Sequence, residues 1–261
     1  MHFSTRNAKL SNTIKLIKSD NPLYEGLPTK YLVWGVPAFR SATGFKTCPG
    51  ASACSGPCFA RSGHYTFTRR KELENENLRI ARKHDFRYRL NERLQSLNKP
   101  HIIRIHDSGD FFSKQYFLDW LWAATQNPRH LFYAYTKSWY ETSLHRVHLQ
   151  EKRLTPNFRL TYSLGGKHDD NILTYNQLSS MEGSPRLPIS KIFLSDEHAW
   201  SDHYTPSHTD IQAIQGFPRI GLIYHNNKHA RNFKWNEQGA LYNAALYNDL
   251  EVNHFKEENV Q

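Results

Sequence analysis

The chain reads as an α/β protein wound from six β/α units into a partial TIM-type barrel. Three observations predict it. Short apolar runs alternate with helix-period segments along the 261 residues, the pattern of parallel βαβ units. Polar turns follow the strands: Ser108-Gly109-Asp110, Thr136-Lys137-Ser138, Ser163 with Gly165-Gly166, and Ser195-Asp196-Glu197. In a barrel or an open parallel sheet such turns gather at the C-terminal edge, where ligands bind. Lastly, all three cysteines fall in one glycine-rich loop directly after the first strand.

Residues 1–30 are polar and basic, carry Lys9, Lys15, Lys18 and Lys30, and show no clear period, so they read as an arm packed over the domain. Residues 31–36 form an apolar strand stopped by Pro37. After the cysteine loop (47–59), residues 66–97 read as one helix, with Leu73, Asn77, Ile80, His84, Tyr88 and Leu94 along one face and Pro100 beyond its end. Residues 101–106 are a strand, and 113–126 a helix with Ser113 as N-cap and Phe117, Trp120, Leu121 and Ala124 on its apolar face. Strands follow at 131–136, 158–163, 189–194 and 220–224, with helices starting near Ser138, over 172–181 and over 236–249. The stretch between 195 and 219 reads as a loop rich in His, Asp and Ser. One barrel domain thus spans 31–250, before a polar tail at 251–261.

The cysteines Cys48, Cys54 and Cys58 are spaced C-x5-C-x3-C, with almost only Pro, Gly, Ser and Ala between them. Nothing bulky stops this loop from folding back and bringing three thiolates to one point. Three soft ligands suit a [4Fe–4S] cluster with one open iron, or zinc with His64, spaced C-x5-H from Cys58, as fourth ligand. A disulfide fits less well, because it leaves one thiol over.

The formal charge of +10 and pI of about 9.5 favour an anionic partner such as DNA or RNA. The helix at 66–97 concentrates that charge on Arg79, Arg82, Lys83, Arg87, Arg89 and Arg93, either a phosphate-binding stripe or a solvated face. No apolar run is long enough for a membrane span, and the N-terminus lacks a signal pattern, so the expected location is the cytoplasm. His106, Asp107, Asp110, Asp196, His198 and His203, at strand ends, would suit a metal-dependent nuclease or hydrolase.

Three blocks carry a resemblance: Thr47-Cys48-Pro49-Gly50-Ala51 through Cys58-Phe59-Ala60, Arg104 through Ser113, and Phe132 through Ser138. They look like the phage "gene product 88" family, over about residues 30–200. That resemblance implies a phage- or plasmid-type protein of the host cytoplasm. More widely the chain resembles radical S-adenosylmethionine (radical SAM) enzymes, which carry a three-cysteine cluster loop after the first strand of a six-unit barrel. Their usual C-x3-C-x2-C spacing is loosened here, and Phe59 follows the last cysteine instead of preceding it. The resemblance implies a cluster on the three cysteines and S-adenosylmethionine as cofactor. Gly109 and Asp110 would stand at its amino group, and Lys137, Ser138 and Ser163 near its carboxylate or ribose. A nucleic-acid-binding replication or regulatory protein with a structural metal is the rival expectation.

Overall fold

A computed structural model describes residues 1–56, 58–142 and 155–224 of the chain. The helix expected over 236–249, the tail at 251–261 and most of the helix expected after Ser138 lie outside the described residues.

Seven strands form one sheet: β1 Tyr31–Trp34, β2 Ile102–Ile105, β3 Leu131–Thr136, β4 Phe158–Ser163, β5 Ile189–Phe193, β6 Thr205–Ser207 and β7 Arg219–Ile223. Every pairing is parallel, with Tyr31 opposite Ile102, Ile102 opposite Leu131 and Phe132 opposite Phe158. The first five strands lie side by side in chain order. The order then reverses, and β7 slots between β5 and β6. No pairing joins β1 to β6 among the described residues, so the architecture is α/β with an all-parallel sheet.

The helices are α1 Ala8–Ile17, α2 Thr68–Ala81, α3 Phe86–Gln95, α4 Lys114–Gln126, α5 Asp169–Met181, α6 Asp196–Ser201 and α7 Ile211–Gln215. Parallel crossovers keep one hand, so a steady advance from β1 to β5 puts its helices on one face. The backward step from β6 to β7 puts α7 on the other. Packing follows that rule. Leu78, Leu90, Trp120 and Ile172 of α2–α5 meet Leu32, Trp34, Ile103, Ile105, Phe132 and Leu160. On the opposite face Leu10, Ile14 and Ile17 of α1 and Ile211 and Ile214 of α7 cover Val33, Ile102, Tyr133 and Ile220. Neighbours such as Val33 and Trp34 thus serve different cores, as the two-residue period of a strand requires.

A buried charge network pins α1 and α7 to the sheet. Asp210 accepts from Arg104 Nη1 at 2.8 Å and from the Tyr133 hydroxyl at 2.7 Å, and lies 3.3 Å from Lys9 Nζ. Burial pushes the Asp210 carboxyl up, but Arg104 and Lys9 overcome it and hold the group below the ordinary carboxylate range.

Three expectations need correction. The helix over 66–97 is two helices, broken by a turn at 82–85. The break resets the phase, so Phe86, Leu90 and Leu94 face the core while Tyr88 is 55% exposed and His84 is exposed. The stretch between β5 and β7 is not a plain loop, for it holds α6, β6 and α7, which raises the strand count from six to seven. The basic arm contains a real helix, α1, capped by the Asn7 side chain accepting from the Leu10 amide. Among the described residues no helix is long and apolar enough to cross a membrane.

Candidate functional site

The cysteine loop leaves β1 through Pro37 and is pinned at its base by the fully buried Thr47, whose Oγ1 donates to the Pro37 carbonyl at 2.6 Å. It then runs across the C-terminal ends of β3 and β4. Ala51 bridges Gly166, the Lys167 amide donates to the Gly50 carbonyl at 2.9 Å, and the Cys54 amide to the Gly165 carbonyl at 3.1 Å. Gly50 lies so close to β3's exit that a β-carbon there would sit 1.9 Å from the Lys137 carbonyl oxygen. The loop is therefore bolted to the sheet edge by backbone contacts, and glycine at position 50 permits the approach.

All three cysteines are free and half-buried. Cys48 Sγ accepts the Phe39 amide at 3.2 Å. Burial pushes the Cys48 thiol far up, and the charges of Asp110, Cys58 and Cys54 add to it. Burial also raises Cys58, offset by the Ala60 amide, by Lys137 and by Arg61. The thiols thus lie near enough to feel one another's charge. Even so, no three His, Cys, Asp or Glu side chains are grouped to hold a metal ion among the described residues. The donor chemistry fits a thiophilic metal: all three side chains are thiols carried on one short loop, and a backbone amide already donates to the Cys48 sulfur.

Asp110 sits beneath this loop, 5% exposed. Its Oδ1 accepts from Thr136 Oγ1 at 2.6 Å and from the Phe111 amide at 2.7 Å, and its Oδ2 from the Lys137 amide at 2.8 Å. Its own amide donates to the Thr47 carbonyl at 3.2 Å. Burial raises this carboxyl, while the same three donors and the Lys137 charge oppose the rise. Gly109 has φ +81°, and a β-carbon there would meet Val36 Cγ2 at 2.2 Å, so only glycine fits this exit from β2. Lys137 Nζ donates to Ser163 Oγ at 2.6 Å, the Ser163 carbonyl at 2.9 Å and the Leu164 carbonyl at 2.8 Å. Ser138 is fully buried, and its hydroxyl has no hydrogen-bond partner among the described residues. The fold therefore brings Gly109, Asp110, Lys137, Ser138 and Ser163 to the edge that carries the cysteines.

Several partners escaped the sequence reading. Asp169, in the first turn of α5, accepts the Gly165 and Gly166 amides at 2.8 and 3.0 Å and fixes the turn under Cys54. Asp107 accepts from Arg70 Nη2 at 2.8 Å and the Tyr65 hydroxyl at 3.1 Å, while Arg70 Nε reaches Glu74 at 2.6 Å. Burial pushes the Glu74 carboxyl up to about 7 despite Arg70. An aspartate just beyond a Gly-Gly turn was one available signal, and the i,i+4 spacing of Arg70 and Glu74 another; Asp107, 37 residues from Arg70, could not be tied to that pair.

The other predicted residues are dispersed. His64 is exposed, its ring 4.2 Å from that of Tyr65. His106 is buried, has φ +66°, bonds Tyr116 through Nε2 at 3.0 Å, and is held down to about 3 by burial. Asp196 pairs with His208 at 2.9 Å, His198 Nδ1 meets Ser195 Oγ at 3.1 Å, and His203 lies in a left-handed turn beyond α6. These side chains, with Asp107 and Asp110, belong to separate local networks. The basic stripe also divides. Arg79 is bonded to Glu76 at 2.6 Å, Arg89 to Asp85 at 2.7 Å, and Arg93 to Ser96 at 3.1 Å. Arg82, Lys83 and Arg87 instead line a groove with Phe45 and Phe112.

No curated protein and no solved structure matches the chain. A family model described as Gene product 88 matches residues 1–184, a span that runs from before α1 past the end of α5 and takes in the cysteine loop, Asp110, Lys137 and Ser163. Over that majority of its length the chain carries the family's sequence pattern, and it belongs to the Gene product 88 family.

Proposed function

We propose that this chain is an iron–sulfur protein whose Cys48, Cys54 and Cys58 hold a [4Fe–4S] cluster at the C-terminal edge of the sheet, as part of a radical-SAM-like enzyme. The observation that carries the reading is the cysteine loop clamped across the ends of β3 and β4, with its thiols beside Lys137 and Asp110. The sequential order of β1–β5 supports a partial-barrel winding around that edge. Three cysteines leave one iron open, and a cluster so held would supply electrons for reductive cleavage of a bound S-adenosylmethionine.

The protein's own part is positioning. Asp110 has about four acceptor sites and fills three of them within the chain, so an ammonium would take the remaining one. Lys137 spends its three donors on Ser163 and Leu164 and sets a fixed positive charge close to the thiols. The buried Ser138 hydroxyl is free to serve a polar ligand atom. DNA or RNA is the proposed substrate or partner, supported by the +10 charge.

Metal analysis tests the reading. Anaerobically purified protein should be brown, with iron and sulfide near about four each per chain, and Ala at any of the three cysteines should bleach it. Added S-adenosylmethionine should change the electron paramagnetic resonance signal of the reduced protein. A colourless protein with stoichiometric zinc would assign the loop a structural metal, with His64 as the fourth ligand to test. That result would favour a nucleic-acid-binding protein, the second reading, which the Arg82–Phe45 groove supports.

A further inference from the structure

The turn between α2 and α3 breaks the basic helix, and it does so beside two aromatic platforms. Arg82, Lys83, His84 and Arg87 line a groove of about 730 Å³ together with Phe45, Phe112 and Tyr116. Phe112 stacks on Tyr116 with ring centres 4.3 Å apart and meets Phe45 edge-on at 5.4 Å. Both phenylalanines are half-buried, which leaves part of each ring open to the groove. The Arg82 guanidinium lies 4.3 Å from the Phe45 ring centre. Arg87 joins the groove to the second platform, standing 4.7 Å from the Tyr88 ring and 5.6 Å from Trp122. Tyr88 and Trp122 meet edge-on at 5.7 Å. None of Arg82, Lys83 and Arg87 is in an ion pair among the described residues, whereas Arg79 and Arg89 are. One carboxylate also lines the groove: Asp119, buried and accepting from Gln115 at 2.8 Å.

We infer that this strip binds single-stranded nucleic acid. Phosphates would meet Arg82, Lys83 and Arg87, and unpaired bases would stack at the Phe45–Phe112 and Tyr88–Trp122 platforms. A double helix hides the base faces that such rings recognise, and a basic strip interleaved with aromatics is what single strands use. Two platforms linked by Arg87 call for a polymer and not a mononucleotide. Gln115, exposed at the groove, keeps its amide oxygen and one N–H for base edges after bonding Asp119. The inference deepens the nucleic-acid part of the reading above and is independent of the metal.

The test is fluorescence anisotropy on the full-length, anaerobically purified chain. The probes are a labelled twelve-nucleotide oligo-dT, a hairpin duplex of similar charge, and thymidine monophosphate as competitor. The single strand should bind at least about tenfold more tightly than the duplex, and the mononucleotide should compete poorly. Replacing Arg82, Lys83 and Arg87 together with Ala should lower the slope of log affinity against log salt by about 2, from about 0.7 per neutralised phosphate. Tyr88→Ala, at an exposed ring, should cost about five- to a hundredfold, and Phe112→Ala the same if it folds. Arg79→Ala with Arg89→Ala should change affinity less than about twofold, since both arginines are already paired. Equal binding of duplex and single strand, an inert Tyr88→Ala, or a control pair as damaging as the triple variant would overturn the inference. Iron content is read separately, so iron-loaded protein that ignores the oligonucleotide sinks the groove alone. Metal-free protein that binds it sinks the cluster alone.

Discussion

Asp110 is the residue whose replacement most sharply separates holding the site from serving a ligand. Its carboxylate takes three hydrogen bonds at 2.6–2.8 Å while almost wholly buried, and its amide holds Thr47 at the root of the cysteine loop. In Asp110→Asn, an amide oxygen in the Oδ1 position keeps Thr136 and Phe111, but the new NH₂ then faces the Lys137 amide, donor against donor. One buried donor left without an acceptor costs about 1–3 kcal/mol. Asp110→Ala strands the Phe111 and Lys137 amides together, so the loss should be roughly 4 kcal/mol, toward the severe end for single substitutions. Asn should not rescue by helix capping, because Ser113 already caps α4 by accepting the Tyr116 amide at 3.2 Å. Urea unfolding at neutral pH reads the stability, and metal content after purification reads the loop. The expected order of stability is wild type, then Asn, then Ala, with metal loading falling in step. Unfolding midpoints for both variants within about 0.5 kcal/mol of wild type would refute the reasoning, because no buried acceptor of three bonds is that dispensable.

Glu74→Gln should change how stability depends on pH. The folded carboxyl sits at about 7 against 4.5 when free, so its contribution is complete below about pH 4.5 and is lost as pH rises through 7. The swing is about 3 kcal/mol, and the melting temperature of Glu74→Gln should therefore gain on wild type between pH 5 and 8; a constant gap would count against the buried acid. His106 and His130, held down to about 3 and about 4 by burial, act oppositely, losing stability as pH falls below 6.5, so the comparison must be variant against wild type. Gly50→Ala should cost about 1–3 kcal/mol and strip the loop of metal, since its β-carbon would collide with the Lys137 backbone; a variant that loads metal normally would show the clamp to be loose.

All six strands read from the sequence are present, from the four-residue β1 and β2 to the six-residue β3 and β4. Residues 131–136 and 158–163 are β-rich runs bounded by turn residues, and local pattern was enough. So was the helix over 114–126, whose Ser113 cap and apolar face agree with each other. What local pattern could not give was set by tertiary context. The turn at 82–85 contains neither Gly nor Pro, and only the need to bury Phe86, Leu90 and Leu94 fixes its place. The three-residue β6, Thr205-Pro206-Ser207, carries a proline that its edge position tolerates and that no sequence rule reads as strand. In α1, Leu10, Ile14 and Ile17 do have helical spacing, but polar residues on the other faces dilute it. At the candidate site the cysteines stood out because their spacing is local. Asp110, Lys137 and Ser163 stood out as residues of strand-end turns, but their bonds could not be read, since Asp110 meets Thr136 and Lys137 across 26 and 27 residues of chain.

That division has a consequence for how the site is assembled. The loop's position rests on backbone contacts with Lys137, Gly165 and Gly166 and on the Asp110 bonds, none of which needs a metal. The charge state of Cys48 and Cys58 is a separate matter. Burial and the Asp110 carboxylate both oppose ionising Cys48, and Lys137 offsets this only at Cys58. A thiolate in such a place gains most from a bound cation, which reverses the local cost of negative charge. The left-handed backbone of Phe39, His106 and Gly109 points the same way: three residues in strained or glycine-demanding conformations flank the exits of β1 and β2. Strain of that kind persists where the surrounding structure over-determines it, and it collects where a fold must aim groups at a ligand. The protein supplies the placement, and the cluster proposed for this edge would supply the charge that lets Cys48 and Cys58 join Cys54 as ligands.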